Sequence, residues 1–218
     1  MRAVTIDIVS DVICPWCYLG KRRLDRALAG LPELRVAIRW HPFLLDATIP
    51  AQGLDRQAYL AAKFGRAALA TLHDPLIAAG KAEGIPYAFD RITRTPNTLD
   101  AHRLLRWAAA EGRQHALAER LFRLYWVEGQ DVGDRGVLVR AAEAEAMDGA
   151  VVARLLAGGA DRDAVIEEIR DAAELGITGV PTFVIGARYV VIGAQPPEVL
   201  NGAILRAELE ARQPAAFE

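Results

Sequence analysis

Residues 10–17 read Ser10-Asp11-Val12-Ile13-Cys14-Pro15-Trp16-Cys17 and hold both cysteines of the 218-residue chain. Before them, Val4, Ile6 and Ile8 alternate with Thr5 and Asp7 and run on into Val9, the pattern of a strand that becomes largely buried. After them, Pro15 suits the first turn of a helix, where its missing N–H costs nothing. Leu19, Leu24 and Leu28 give that helix an apolar face until Gly30 and Pro32 stop it. A second strand follows at about residues 34–40, with Leu34, Val36, Ile38 and Trp40 on one face. Strand, helix, strand is the opening of an α/β sheet.

From about residue 54 to 175 the period becomes helical, as in Leu69, Leu72, Leu76 and later Leu117, Leu121, Leu124 and Tyr125. Five or six helices are expected. Pro75 should break or kink an early one. The stretch from Gly84 to Phe89 reads as extended, and Pro96-Asn97-Thr98-Leu99-Asp100 carries the capping chemistry that opens a helix near Asn97. Asp134 and Asp161 look like N-caps, and Gly176 sits where a glycine would end a helix. Past Gly179-Val180-Pro181, two short apolar runs flank Gly186-Ala187-Arg188 and predict a hairpin, followed by a last helix from about residue 197 to 211. Sheet-forming segments at both ends of a helical block predict one α/β domain, residues 1–53 and 176–218, carrying a helical insertion at 54–175.

Composition removes several function classes. Lys and Arg number 26 and Asp and Glu 28, a net charge of -2, with no basic block to grip a phosphate backbone, so nucleic acid is not expected as a partner. No run of about 18 apolar residues exists to span a membrane. The alternation over residues 1–10 is unlike a signal peptide, which predicts a cytoplasmic protein. With 52% hydrophobic residues a core can form without a metal or disulfide staple.

A thiol attacks as its thiolate, so the surroundings of the cysteines decide what they can do. Cys14 follows a strand and precedes a helix, where the partial positive charge and unpaired N–H groups of the helix start favour the anion. Cys17 lies one turn inward, more buried and less ionised, yet spaced to reach back and resolve a mixed disulfide formed by Cys14. Pro15 and Trp16 carry no charge, so the helix alone must stabilise the thiolate. Two plainer readings stand beside this one. A structural disulfide would close a loop of about four residues and contribute only about 2 kcal/mol. Half of a zinc site would need two further ligands, and His41, His73, His102 and His115 show no H-x3-5-H spacing.

Pro181 precedes the apolar run of the third strand. It reads either as an ordinary first-strand proline or as a cis Val180–Pro181 bond that exposes the Val180 backbone to an extended polypeptide beside the thiols. Asn97 is explained by helix capping. His102 flanks an apolar stripe, as packed histidines do. Asp11 is either a solvated strand-end carboxylate or a proton relay for the buried thiol. The aromatic clusters at residues 40–43 and 121–126 read as core.

Taken together, Cys14-Pro15-Trp16-Cys17 after a first strand, the helical insertion and Gly179-Val180-Pro181-Thr182-Phe183 resemble the DsbA family of thioredoxin-fold proteins. Ser10-Asp11-Val12, Tyr18-Leu19-Gly20-Lys21-Arg22-Arg23, Pro96-Asn97-Thr98 with Ala101-His102-Arg103, and Gly193-Ala194-Gln195-Pro196 look like its FrnE-like cytoplasmic branch. The resemblance implies a thioredoxin-like α/β fold, Cys14 as nucleophile, Cys17 as resolving thiol, and Pro181 in cis opposite them. It also implies cofactor-free thiol–disulfide exchange on protein or small-molecule disulfides, with Asn97 and His102 lining the cleft and a homodimer as the candidate assembly. Trp16 replaces the histidine of the periplasmic enzymes and so removes a thiolate-stabilising charge, which favours a reductase or isomerase over an oxidase. Similarity extends to the kappa-class glutathione transferases and 2-hydroxychromene-2-carboxylate isomerases, which carry a serine in place of Cys14. Glutathione is therefore a candidate redox partner or co-substrate. Gln195 stands where those enzymes can offer an acid to its ammonium.

Overall fold

The computed structural model describes residues 3–212. β1 (Val4–Ser10) leads into α1 (Pro15–Ala29), then β2 (Val36–Pro42). β1 and β2 are parallel, with Ile8 opposite Trp40. The chain returns to this sheet only at its end, with β5 (Thr182–Ile185) and β6 (Tyr189–Ile192) forming the expected hairpin. β5 runs antiparallel to β1, and the order is β2-β1-β5-β6. Positive φ at Gly186 and Ala187 makes the hairpin turn. α9 (Pro197–Arg212) follows and packs beside α1 on one face of the sheet. There Ile6, Ile8, Phe183 and Ile185 meet Leu19, Leu24, Leu200 and Ile204, all fully or almost fully buried. This is the sidedness that alternation in β1 and β5 demands.

Between β2 and β5 lie β3 (Leu54–Asp55), α2 (Arg56–Phe64), α3 (Asp74–Ala82) and β4 (Arg94–Thr95). After them come α4 (Leu99–Ala110), α5 (Gln114–Trp126), α6 (Arg135–Ala144), α7 (Gly149–Ala157) and α8 (Arg162–Glu174). α4, α5 and α8 close the other face of the sheet near β2. The edge of β2 is finished by a side chain: the Gln114 amide accepts from Trp40 N–H at 2.9 Å and donates to Trp40 C=O at 3.0 Å, as a neighbouring strand would.

Several expectations are corrected here. Seven α-helices occupy the block rather than five or six, because the breaks between short helices carry little sequence punctuation. Pro75 starts α3 instead of breaking a helix, since it falls in the first turn where no N–H is needed. The two-residue pair β3–β4 was too short to show a period. β2 begins two residues later than its apolar pattern suggested. Asp134 caps α6 through Val137 N–H, but Asp161 makes no side-chain cap bond. It adopts φ 57 and takes the Trp107 indole N–H instead. Gly176, with φ +79, does terminate α8 as expected.

One buried charge ties the helical block together. Arg103, on α4, donates to the carbonyls of Ala160, Leu155 and Gly158 and to the Asp100 carboxylate at 2.6 to 2.9 Å. A planar fork with five donors suits four acceptors set around it. Arg103→Ala is expected to cost about 3–5 kcal/mol in urea unfolding, because the three carbonyls lose their buried charged donor and Asp100 keeps only Arg135. Arg103→Lys should restore only part of that loss.

Candidate active site

Cys14 is the N-cap of α1, with extended backbone (φ -93, ψ 113), and Pro15 opens the helix. The turn closes because Cys14 C=O accepts from the N–H groups of Cys17 at 3.0 Å and Tyr18 at 3.3 Å, while Cys14 N–H donates to Asp11 C=O. The sulfur makes no capping bond to the helix N–H groups. It points instead across to the end of the sheet, 3.8 Å from the Val180 carbonyl oxygen. Both cysteines are free thiols, and both are buried, Cys14 3% and Cys17 1% exposed.

Burial pushes the Cys17 thiol well above its ordinary value, and the neighbouring Cys14 sulfur pushes the same way. Opposing this are the Ser10 hydroxyl and a backbone hydrogen bond from Asp11, both of which favour the thiolate. Ser10 Oγ is buried and makes no hydrogen bond among the described residues. Cys17 therefore stays protonated at neutral pH.

The Val180–Pro181 bond is cis. Pro181 lies against Gly20 of α1, where an added Cβ would stand 2.9 Å from Pro181 Cγ and 3.2 Å from Phe183 Cζ. Only glycine lets the helix and the proline approach this closely. The Pro181 carbonyl accepts from Gly193 N–H at 2.7 Å, and Thr182 Oγ1 donates to Gly179 C=O at 2.7 Å, so the segment is held from both sides. Trp16 projects outward, 42% exposed, and Pro15 is partly exposed.

The helical block also reaches the thiol loop. Tyr87 Oη donates to Pro15 C=O at 2.7 Å, and Trp126 Nε1 donates to Val12 C=O at 3.2 Å. Tyr87 is pushed far above the usual phenol range, first by burial and then by the nearby Cys14, Tyr18 and Cys17. Sequence reasoning passed over Tyr87 and read Trp126 only as core, since neither has a local pattern that announces a contact with residues more than seventy positions away.

Asp11 is buried and does not act as a solvated strand end. Its carboxylate accepts from Leu45 N–H at 2.7 Å and Ile13 N–H at 3.4 Å, fastening the loop after β2 to the residue before Cys14. His102 is buried too, with Nε2 3.0 Å from Phe43 C=O and 3.6 Å from Asp11 Oδ1. Asn97 donates to Ile49 C=O and accepts from Leu99 N–H, while Thr98 is the N-cap of α4. Asn97 and His102 thus bond partners within the fold, and His102 also lines a cavity bounded by Ser10, Val12, Trp40 and Phe122. Gln195 is exposed and donates to Ile192 C=O. Among the described residues no three His, Cys, Asp or Glu side chains gather to hold a metal ion, and no helix is long and apolar enough to cross a membrane.

Comparison with known proteins agrees with this geometry. A probable DsbA oxidoreductase of Streptomyces coelicolor is 36% identical, with a TM-score of 0.87 over 99% of this chain and 94% of its own. The uncharacterised protein YwbO of Bacillus subtilis is 28% identical over 92% of this chain and 96% of its own length. The cytosolic disulfide reductase DsbM of Pseudomonas aeruginosa, 20% identical, shares the fold with a TM-score of 0.66 over 95% of this chain and 99% of its own. The family profile for the DSBA-like thioredoxin domain matches residues 5–205, and with that match over nearly its whole length the chain belongs to the DsbA-like thioredoxin-domain family.

Proposed function

We propose that the chain is a thiol–disulfide oxidoreductase of a reducing, cytoplasmic environment, acting as a reductase or isomerase on protein or small-molecule disulfides. The observation that carries this reading is the pairing of an N-cap thiol, Cys14, with the Val180 carbonyl at a cis proline, and a buried thiol, Cys17, one turn behind it. The Cys14 thiolate attacks one substrate sulfur, forming a mixed disulfide, and the other substrate sulfur leaves as a thiolate that takes up a proton. Cys17 then gives up its proton and attacks Cys14 Sγ. The second substrate sulfur is released, two electrons have passed to the substrate, and the enzyme is left as the Cys14–Cys17 disulfide. A thiol such as glutathione returns it to the dithiol; the structure of DsbM has also been solved with GSH, which supports that class of partner. Val180 offers backbone groups to an extended substrate, with Trp16, Pro15 and Pro181 forming an apolar rim around it.

The raised pKa of Cys17 separates the two steps. A thiol whose folded pKa lies above its unfolded value stays neutral as pH rises past the ordinary thiol range, so Cys17 resists alkylation while Cys14 reacts. Native reduced protein at neutral pH should take one alkyl group, on Cys14, and a second only on unfolding or at strongly alkaline pH. Mass spectrometry of the labelled peptides checks this, and equal labelling of both would contradict the assignment.

Cys14→Ser should abolish insulin reduction, and Cys17→Ser should accumulate mixed disulfides with substrate. Full activity in Cys14→Ser would end the reading. Calorimetric titration with glutathione alongside conjugation and isomerisation assays tests the other chemistry of this fold. A glutathione-dependent isomerisation that persists without Cys17 would point to a transferase or isomerase, whereas the oxidoreductase needs both sulfurs.

A further inference from the structure

The alternation that sends Ile6, Ile8 and Phe183 toward α1 and α9 turns Asp7, Val9, His41 and Val184 to the opposite face of the sheet. The helices do not close completely over that face. A cavity of about 620 Å³ lies between these strands and α4, α5 and α8, within the size range of small-molecule sites. Val9, Leu105, Ala118, Ala172 and Val184 make its wall largely apolar. Trp40 and Phe122 form an aromatic corner in it, with ring centroids 5.9 Å apart and planes inclined by 58°. Leu175, 80% exposed, is its lip. Neither cysteine belongs to the lining, nor do Pro15, Trp16, Val180 or Pro181, so this is not the thiol cleft.

Two buried polar side chains with unused hydrogen-bonding capacity line the same cavity. Ser10, at the end of β1, is 4% exposed, and its Oγ bonds nothing among the described residues. His102, on α4, is also 4% exposed. Its Nε2 donates to Phe43 C=O, so the neutral ring carries its lone pair on Nδ1, which bonds nothing among the described residues. Both lie toward one end of the cavity, because Ser10 directly precedes Asp11 and His102 Nε2 stands 3.6 Å from the Asp11 carboxylate. Leaving a buried hydroxyl and ring nitrogen unpaired is unfavourable, and a ligand that bonds both removes the penalty. The charges on the rim are matched to one another, Asp7 with Arg39 and His41, and Arg106 with Glu168. Asp171 adds a carboxylate that makes no ion pair among the described residues. An anion is thus opposed at the entrance, whereas a neutral molecule is not.

We propose that this cavity is a binding site, separate from the dithiol, for a small neutral aromatic alcohol. Its ring system lies against Trp40 and Phe122, and its hydroxyl donates to His102 Nδ1 while accepting from the Ser10 hydroxyl. A hydroxyl meets both demands at a single atom. An ether only accepts, and a carboxylate brings a charge that the rim opposes. The wall that holds the hydroxyl is the segment leading from β1 into the thiol loop, so the site stands behind the cysteines while their reacting side faces Val180.

Calorimetric titration of the full chain with 2-naphthol, and with 2-methoxynaphthalene as the analogue that lacks the donor, tests this. The Trp40 indole N–H cross-peak in a proton–nitrogen correlation spectrum reports where the compound sits. 2-Naphthol should shift that cross-peak and bind at least about tenfold more tightly than the ether, which leaves His102 Nδ1 unpaired. Ser10→Ala and His102→Phe should each remove most of that preference, and Ser10→Ala, which deletes one oxygen, keeps the test decisive if the other variant folds poorly. Ala109→Trp, at an exposed position on the rim, should cause loss of 2-naphthol binding while insulin reduction stays at the wild-type rate. Protein alkylated on Cys14 should bind 2-naphthol as the untreated protein does. A wild type that does not bind 2-naphthol overturns the proposal, as do equal affinities for the two compounds. So does binding that Cys14 alkylation blocks, which would place the compound in the thiol cleft.

Discussion

Cys17 sits where water does not reach its sulfur, at the junction of the first strand and the first helix. Taking a thiolate out of water is costly, so the group stays neutral and the electrons it could give are held back until Cys14 has been used. The polar help it receives is small: the Ser10 hydroxyl and a backbone bond from Asp11. Other features of the site follow from keeping this sulfur enclosed while leaving its partner beside the sheet end. The helix must begin at Pro15 so that Cys14 is its cap, and it must carry glycine at position 20 so that Pro181 can approach.

The enclosure is built from both parts of the chain. Tyr87 and Trp126 grip the carbonyls of Pro15 and Val12, on either side of Cys14. Asp11 reaches across to Leu45 and is itself flanked by His102. Loops that carry chemistry are commonly the softer parts of a protein, but this one has its backbone and buried acid fixed from several directions. The helices between β2 and β5 therefore do more than cover the sheet, because without them the thiol loop would lose two of its side-chain donors.

How far the sequence foretold this depends on the range of the interaction. β1, α1, the β5–β6 hairpin and α9 declare themselves through local period and punctuation, and each falls within a residue or two of its expected place. So does the dithiol, since a C-x-x-C astride a strand-to-helix junction is a purely local arrangement. Tyr87 is the opposite case: its meaning comes from a carbonyl 72 positions earlier. Asn97 and His102 draw attention only through resemblance, and their bonds to the Ile49 and Phe43 carbonyls, 48 and 59 positions away, are announced by no local pattern. Pro75 misleads because a proline reads the same whether it breaks a helix or begins one.

Charge is scarce at the mouth of this site, and that bears on what it selects. Arg23, on the inner side of α1, is occupied by the Ala194 carbonyl and Glu83. Lys21 is buried against Asp25 and Glu119. What remains beside Cys14 is Pro15, Trp16, Tyr87 with its hydroxyl engaged, and the Val180–Pro181 step. Under the proposed reaction such a rim discriminates by shape and by backbone pairing rather than by Coulomb attraction, since apolar walls reward fit and an unsatisfied charge brought against them is penalised. A disulfide set in an extended apolar segment meets those conditions. One surrounded by acidic side chains meets no neutralising cation in the CPWC turn itself, where the two residues between the cysteines are proline and tryptophan.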